Sequence, residues 1–331
     1  MNLPGKILAM CVLTLSLQAT ESLAPITAEE LSAARFRLEK RQATIELLYA
    51  LFTAKPHEPA LKKLEQIDPQ AEAIAYAQGF ELYKKKEKSA ALIALEESIR
   101  RNPHFDLAHN LIGLIYTEAE EYNRAAEAFQ KAYAAAPFEP SYSYNLAQSL
   151  YKLGRYDTAL EIISRALNAK YNSHDFFYLT ALIQRDRRNY PAALETFEQS
   201  RQFGQSSPAF LKAYLETAYL AQDTRLSLKL SQELAAVTDP DIQRLIGRIR
   251  LQHGEFARAT PHLRLVAYRK GASLEDKKAY LFCLYKQNIP TLPVINRLAE
   301  PAERKELEEY VRSLRGPASP GFRDPLLLPP R

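Results

Sequence analysis

The chain has 331 residues and a formal net charge of +5, with only 10 Gly, two Cys and no Trp. That length admits two or three ordinary domains or one elongated repeat array. The scarcity of Gly, which costs about 1 kcal/mol relative to Ala inside a helix, favours helices, and no run of alternating β-branched residues marks a sheet. Lys and Arg outnumber Asp and Glu by 17 to 10 between Asp241 and Arg331, a modest surplus interleaved with Glu and lacking any recognition motif, so nucleic acid is not an expected partner.

Residues 1–19 read as an export signal: Lys6 precedes the apolar run ILAMCVLTLSL, and Leu17-Gln18-Ala19 resembles a cleavage site. The run is too short to span a bilayer comfortably, so no stable membrane span is expected after cleavage. Met10 is bulky where a lipidation site before Cys11 wants a small residue, which argues against a lipid anchor. Cleavage after Ala19 leaves Cys283 as the single thiol, so no internal disulfide is expected. The expected compartment is the periplasm of a bacterium.

Residues 26–71 read as an N-terminal helical cap or a degenerate repeat. A helix over 25–55 opens at Thr27 with Glu30 at capping-box spacing, carries Leu31, Ala34, Leu38, Ala43, Leu47, Leu48, Leu51 and Phe52 as apolar positions, and ends at Pro56. A shorter helix over 58–67 closes at Asp68-Pro69.

From residue 106 a pattern appears that recurs along the chain. Over 106–139, Ile112, Gly113, Tyr116, Tyr122, Ala125, Phe129, Ala132 and Pro137 are spaced as L-G-x-x-Y, then A-x-x-x-F, then P. This stretch resembles a tetratricopeptide repeat, a 34-residue helix–turn–helix unit. One period earlier Gly79, Leu82, Ala91, Leu95, Ser98 and Pro103 hold the same positions. Later periods carry Leu146, Ala147, Tyr156, Ala159 and Ile163, then Ala181, Tyr190, Ala193 and Phe197. From Pro208 the pattern degrades to Thr224, Ser227, Ser231 and Leu234. After a contraction of two residues it recovers from Pro240 as Ile246, Gly247, Phe256, Ala259 and Leu263. About six repeats thus fill 72–271, with starts near 72, 106, 140, 174, 208 and 240.

The resemblance implies an all-α fold, an α-solenoid in which antiparallel helix pairs stack into a right-handed superhelix. Gly or Ala at the eighth position and Ala at the twentieth permit close helix crossing. No pair buries its apolar face alone, so neighbours must stack. Residues 272–314 read as a C-terminal cap of helices over 274–287, 293–299 and 301–314, the first capped by Ser273 with Asp276. Residues 315–331 hold five Pro and no helical period and read as a disordered tail, whose Phe322 and Leu326-Leu327-Leu328 could fold back into a groove.

Catalytic motifs are missing from the sequence. The six His show no metal-ligand spacing, and there is no phosphate-cradling Gly-rich loop and no G-x-S-x-G. His109 occupies a core position of its repeat and Cys283 lies in an apolar run, so both read as packing. No enzyme, cofactor or metal site is expected.

The resemblance further implies a concave groove lined by the first helix of each repeat. Carrying over the groove positions gives Tyr76, Phe80, Tyr83, Asn110, Leu114, Tyr144, Gln148 and Tyr151, followed by Tyr178, Arg185, Lys212, Tyr219, Arg244 and Arg248. Aromatic residues offer large rigid contact area with a polar tip, and the later cations suit an acidic segment. The competing reading packs these tyrosines beneath neighbouring helices. The two-carboxylate clamp of some family members is not matched, since Asn110, Leu114, Asp175 and Leu179 replace its flanking residues and only Asn145 remains. The expected function is an exported, non-catalytic scaffold that binds a peptide or helix of a protein partner, with a role in envelope assembly. An accessory subunit of an envelope enzyme and a self-assembling structural protein are the alternatives.

Overall fold

The computed structural model describes residues 27–53, 55–204 and 207–314; the expected export signal at 1–19 and the expected disordered tail at 315–331 lie outside them. The described residues form seventeen helices and no strand, and the chain divides after Ala169 into two compact units. In unit 1 the helices are α1 (Ala28–Phe52), α2 (Glu58–Ile67), α3 (Glu72–Lys84), α4 (Lys88–Arg101), α5 (Asp106–Glu118), α6 (Tyr122–Ala135), α7 (Pro140–Lys152) and α8 (Tyr156–Asn168). Unit 2 holds α9 (His174–Asp186), α10 (Tyr190–Arg201), α11 (Pro208–Leu220), α12 (Thr224–Glu233), α13 (Pro240–Gln252), α14 (Phe256–Ala267), α15 (Leu274–Lys286), α16 (Leu292–Leu298) and α17 (Arg304–Ser313). Within each unit consecutive helices pack as antiparallel pairs and each pair packs on the next, the architecture of an α-solenoid.

Close crossing within a pair follows from the small residues. A Cβ on Gly113 would lie 2.5 Å from the Phe129 ring, one on Gly79 2.7 Å from Leu95, and one on Gly247 2.6 Å from Leu263. Ala91, Ala125, Ala159, Ala193 and Ala259, at the twentieth position, are fully buried. The fifth pair inverts the arrangement: Leu215 stands where the others have Gly or Ala, and Ser231 stands where they have Phe, Leu or Ile. Both are fully buried. A large side chain on the first helix is thus balanced by a small one on the second, so the degraded pattern still fills its core.

The turn inside each pair is equally regular. Lys86, Glu120, Gly154, Arg188 and Gln222, spaced by 34 residues, all have φ between +57° and +71°, as does Asn288, and Gly254 has +74°. At each, the next residue's N–H donates to the carbonyl five residues back, as in Glu87 to Leu82, Glu121 to Tyr116 and Ile289 to Leu284, over 2.8–3.0 Å. This left-handed closure satisfies carbonyls that a helix end leaves open. The turn at Asn288 shows that α15 is built as the first helix of a seventh pair. Its second helix, α16, has only seven residues, and α17 packs against α15 to complete the end.

Five of these turns place a side chain where Gly is unstrained. Arg188 and Gln222 are exposed, so replacing both with Gly is expected to stabilise unit 2 by about 0.5–1 kcal/mol each, read as a higher urea midpoint. An unchanged or lower midpoint would contradict the strain argument.

At the N-terminus, Thr27 and Glu30 form the capping box. Of the apolar positions in α1, Ala43, Leu47 and Leu51 are buried with Leu64 of α2 against Ile74, Ala91 and Leu95, whereas Leu31, Leu38 and Phe52 are exposed. The first half of α1 therefore follows its caps and helix propensity, with no neighbour among the described residues to cover it.

Candidate functional site

The first helices of the pairs lie side by side within each unit, and polar side chains tie them together. In unit 1 the Tyr83 hydroxyl donates to the Glu118 carboxylate, joining α3 to α5. Tyr142 Oη donates to Asp106 at 2.9 Å and Asn145 Nδ2 donates to Asn110 Oδ1 at 2.9 Å, joining α7 to α5. Burial together with the Glu118 bond pushes the Tyr83 phenol up to about 12. The Tyr83 bond, followed by the Lys88 ion pair, holds Glu118 below the usual carboxylate range. Burial, then the Asp106 charge, pushes the Tyr142 phenol far up, so it acts as a permanent donor.

The structure divides the predicted groove residues into classes. Tyr76 is buried, stacked on Phe80 and edge-on to Phe105, and its phenol is raised by burial and by Asp106. Tyr219 is buried in the core of unit 2, and Tyr178 packs at the edge of an aromatic cluster with His174, Phe197 and Phe210. These three serve packing, because the layer between neighbouring pairs needs bulky side chains. Phe80, Tyr83, Asn110, Leu114, Tyr144, Gln148 and Tyr151 are half-buried in unit 1.

In unit 2 each predicted cation faces a carboxylate of the next first helix. Arg185 meets Glu216 at 3.4 Å, and Lys212 meets Asp241 at 3.5 Å. Arg244 meets Asp276 at 2.8 Å and Asp241 at 2.5 Å, while Arg248 reaches the same Asp276 oxygen at 3.5 Å. The bond to Asp276 is the main cause that raises the Arg244 guanidinium, and the bond to Arg244 the main one that lowers Asp241. The anticipated basic end of a groove is therefore largely neutralised from within. A side chain near the start of one repeat and another about one period later lie on adjacent helices, so carboxylates at Glu216, Asp241 and Asp276 carried the signal that this pairing would occur.

What remains available is concentrated on α5 and α7. A shallow cavity of about 80 Å³ is lined by Thr117, Tyr122, Gln148, Ser149 and Lys152. Beside it Gln148 Nε2 donates to Tyr144 Oη at 3.4 Å, and Tyr151 packs on Tyr156 with centroids 5.9 Å apart. The Asn110–Asn145 bond uses one donor and one acceptor, which leaves Asn110 Nδ2 and Asn145 Oδ1 to offer a donor and an acceptor side by side. Ser149 and Tyr122 were not among the expected groove residues. Tyr122 reads as a frame position of its repeat and Ser149 carries no signal; the packing of α6 against α7 brings both to this cavity. Among the described residues no cluster of His, Cys, Asp or Glu could hold a metal ion, and no helix is long and apolar enough to cross a membrane.

Residues 76–140 match the family model described as tetratricopeptide repeat, and residues 118–200 match the one described as anaphase-promoting complex, cyclosome, subunit 3. Anaphase-promoting complex subunit 3 of Schizosaccharomyces pombe is 24% identical over 223 residues, which cover 66% of this chain but only 32% of that relative's length. Among solved structures, the type IV pilus biogenesis factor PilW is similar with a TM-score of 0.55 and 17% identity, over 64% of this chain and 98% of that one. Pseudomonas aeruginosa pilF gives 0.52 and 16%, over 60% and 92%. A tetratricopeptide repeat protein from Parabacteroides merdae gives 0.50 and 14%, over 75% and 99%. At these identities the likeness is one of fold.

Proposed function

We propose that unit 1, which carries the match to the tetratricopeptide repeat over residues 76–140, binds an extended segment of a partner protein across α5 and α7, as proteins of this repeat bind protein or peptide partners. The observation that carries this reading is the Asn110–Asn145 pair, whose remaining donor and acceptor match the C=O and N–H of a peptide backbone. Tyr144, Gln148 and Tyr151 flank it with half-exposed aromatic and amide surface, the side-chain types that supply binding energy at interfaces. The proposed role is that of a scaffold, as is general for proteins built of this repeat. The basic residue, the apolar run and the cleavage-like Leu17-Gln18-Ala19 in residues 1–19 support export to a bacterial envelope, where the partner would reside.

Replacing Tyr144 and Tyr151 together with Ala is expected to weaken partner capture from an envelope fraction about tenfold or more while leaving a cooperative melt. Unchanged capture, or loss of cooperative melting, would place these rings in packing and remove the groove reading. Sequencing the N-terminus of the mature protein tests export, with Thr20 as the expected first residue.

A further inference from the structure

Phe52 ends α1 with its side chain 51% exposed, yet its ring meets Phe80 of α3 edge-on, with centroids 5.8 Å apart. Phe80 in turn stacks on buried Tyr76 at 6.1 Å, and Tyr76 meets Phe105 at 5.6 Å. The exposed ring is thus the outer step of an aromatic stack anchored in the core. It is a rigid apolar surface whose ordering cost is already met by the fold, the kind of surface that gains most when a partner covers it.

One cation lies on this step and two more lie on neighbouring tyrosines of α1 and α3. The Lys84 ammonium lies 5.6 Å from the Phe80 ring centroid, Lys86 lies 5.8 Å from that of Tyr83, and Lys55 lies 4.9 Å from that of half-exposed Tyr49. Lys84 pairs with Glu81 at 3.1 Å, and Lys88 pairs with Glu118 at 2.9 Å. Lys55, Lys85 and Lys86 are exposed and have no carboxylate within salt-bridge distance among the described residues, and Glu87 is the one acidic residue inside the turn. One basic residue in the last turn of α3, Lys84, suffices to complement the helix dipole; Lys85 and Lys86 lie beyond it. The paired cations of unit 2 provide the contrast, since there each charge is met from within.

We propose that the Phe52–Phe80 step and the turn at Lys84, Lys85 and Lys86 form a docking surface for an acidic partner segment with an aromatic anchor beside its carboxylates. The ring of the anchor would cover Phe52, and the carboxylates would meet Lys55, Lys85 and Lys86. This surface rests on the reading of unit 1 as the partner-binding unit, but it uses residues outside the Asn110, Tyr144, Gln148 and Tyr151 patch.

The test is fluorescence anisotropy of a short fluorescein-labelled peptide, rich in Asp and Glu with one Phe, titrated with the full chain. Saturable binding that weakens with salt is expected. The double change Lys85→Glu with Lys86→Glu should weaken it about tenfold or more, and Phe52→Ala about fivefold, with the melt remaining cooperative because all three residues are exposed; Phe52→Ala lowers the midpoint slightly through the lost edge-on contact with Phe80. A control peptide with Phe replaced by Ala should lose about as much as the Phe52→Ala chain. Binding that survives the charge reversal, absence of binding, or preference for phosphatidylserine-containing vesicles over the peptide would overturn the proposal. So would loss of peptide binding in the Tyr144→Ala, Tyr151→Ala chain with none in the lysine variant, an outcome that keeps the groove reading and removes this surface. Peptide binding that depends on Lys85 and Lys86, alongside partner capture indifferent to the two tyrosines, would support this surface and remove the groove.

Discussion

Gly113→Leu is expected to cost unit 1 about 3 kcal/mol or more and to abolish its cooperative melt in the worst case. A Cβ at this position falls 2.5, 2.6 and 2.8 Å from three atoms of the Phe129 ring, far inside van der Waals contact. Phe129 is 1% exposed and cannot swing into solvent, so α5 and α6 must separate along their crossing. The fifth pair supplies the remedy, since Leu215 and Ser231 occupy the equivalent positions there with the sizes exchanged. Gly113→Leu combined with Phe129→Ser should recover part of the loss, measured by urea denaturation followed by circular dichroism. A double variant no more stable than the single one would show that volume at these two positions does not govern the crossing.

Asp276→Ala is expected to cost unit 2 about 3–5 kcal/mol, because it removes a buried carboxylate that accepts from two arginines and from its own helix cap. Asp276 is 2% exposed in its side chain; one oxygen accepts from Arg244 at 2.8 Å and Arg248 at 3.5 Å, and the other accepts from the Ser273 hydroxyl at 2.8 Å. Arg248, at 8%, has little water to replace what is lost. Asp241→Ala is the control: its carboxylate also meets Arg244, but its side chain is 59% exposed, so a loss below about 1 kcal/mol is expected. Thermal melting, with hydrogen exchange localising the change to α13 and α15, distinguishes the two. Equal losses would mean that burial does not set the value of this pair.

Much of this fold was legible before any coordinate. The first helices begin at Glu72, Asp106, Pro140, His174 and Pro208, one 34-residue period apart, and at Pro240 after a contraction of two, and small and bulky residues recur at the crossing of every pair. The fifth repeat looked worn because its motif was judged position by position, whereas packing responds to the summed volume of facing side chains. The seventh turn at Asn288 escaped notice because its closure depends on backbone conformation, which Asn adopts without a motif around it.

The candidate site was less legible, and for a different reason. Groove positions were assigned by register within one repeat, but exposure depends on what the neighbouring repeat brings. Tyr76 and Tyr83 are two turns of α3 apart; Phe105 and Phe80 enclose the first, while Glu118 holds the second at the surface. Arg244 and Arg248 read as a basic patch until Asp276, a helix-capping residue of the next pair, is brought beneath them. The sequence by itself determined the helices, their period and the small residues that let them cross, since these rest on local propensity and on spacing along one chain. Only the tertiary structure decided which aromatics are core, which cations are neutralised, and that Phe52 with Lys85 and Lys86 stays uncovered, because each of these depends on side chains that meet across helices far apart in the chain.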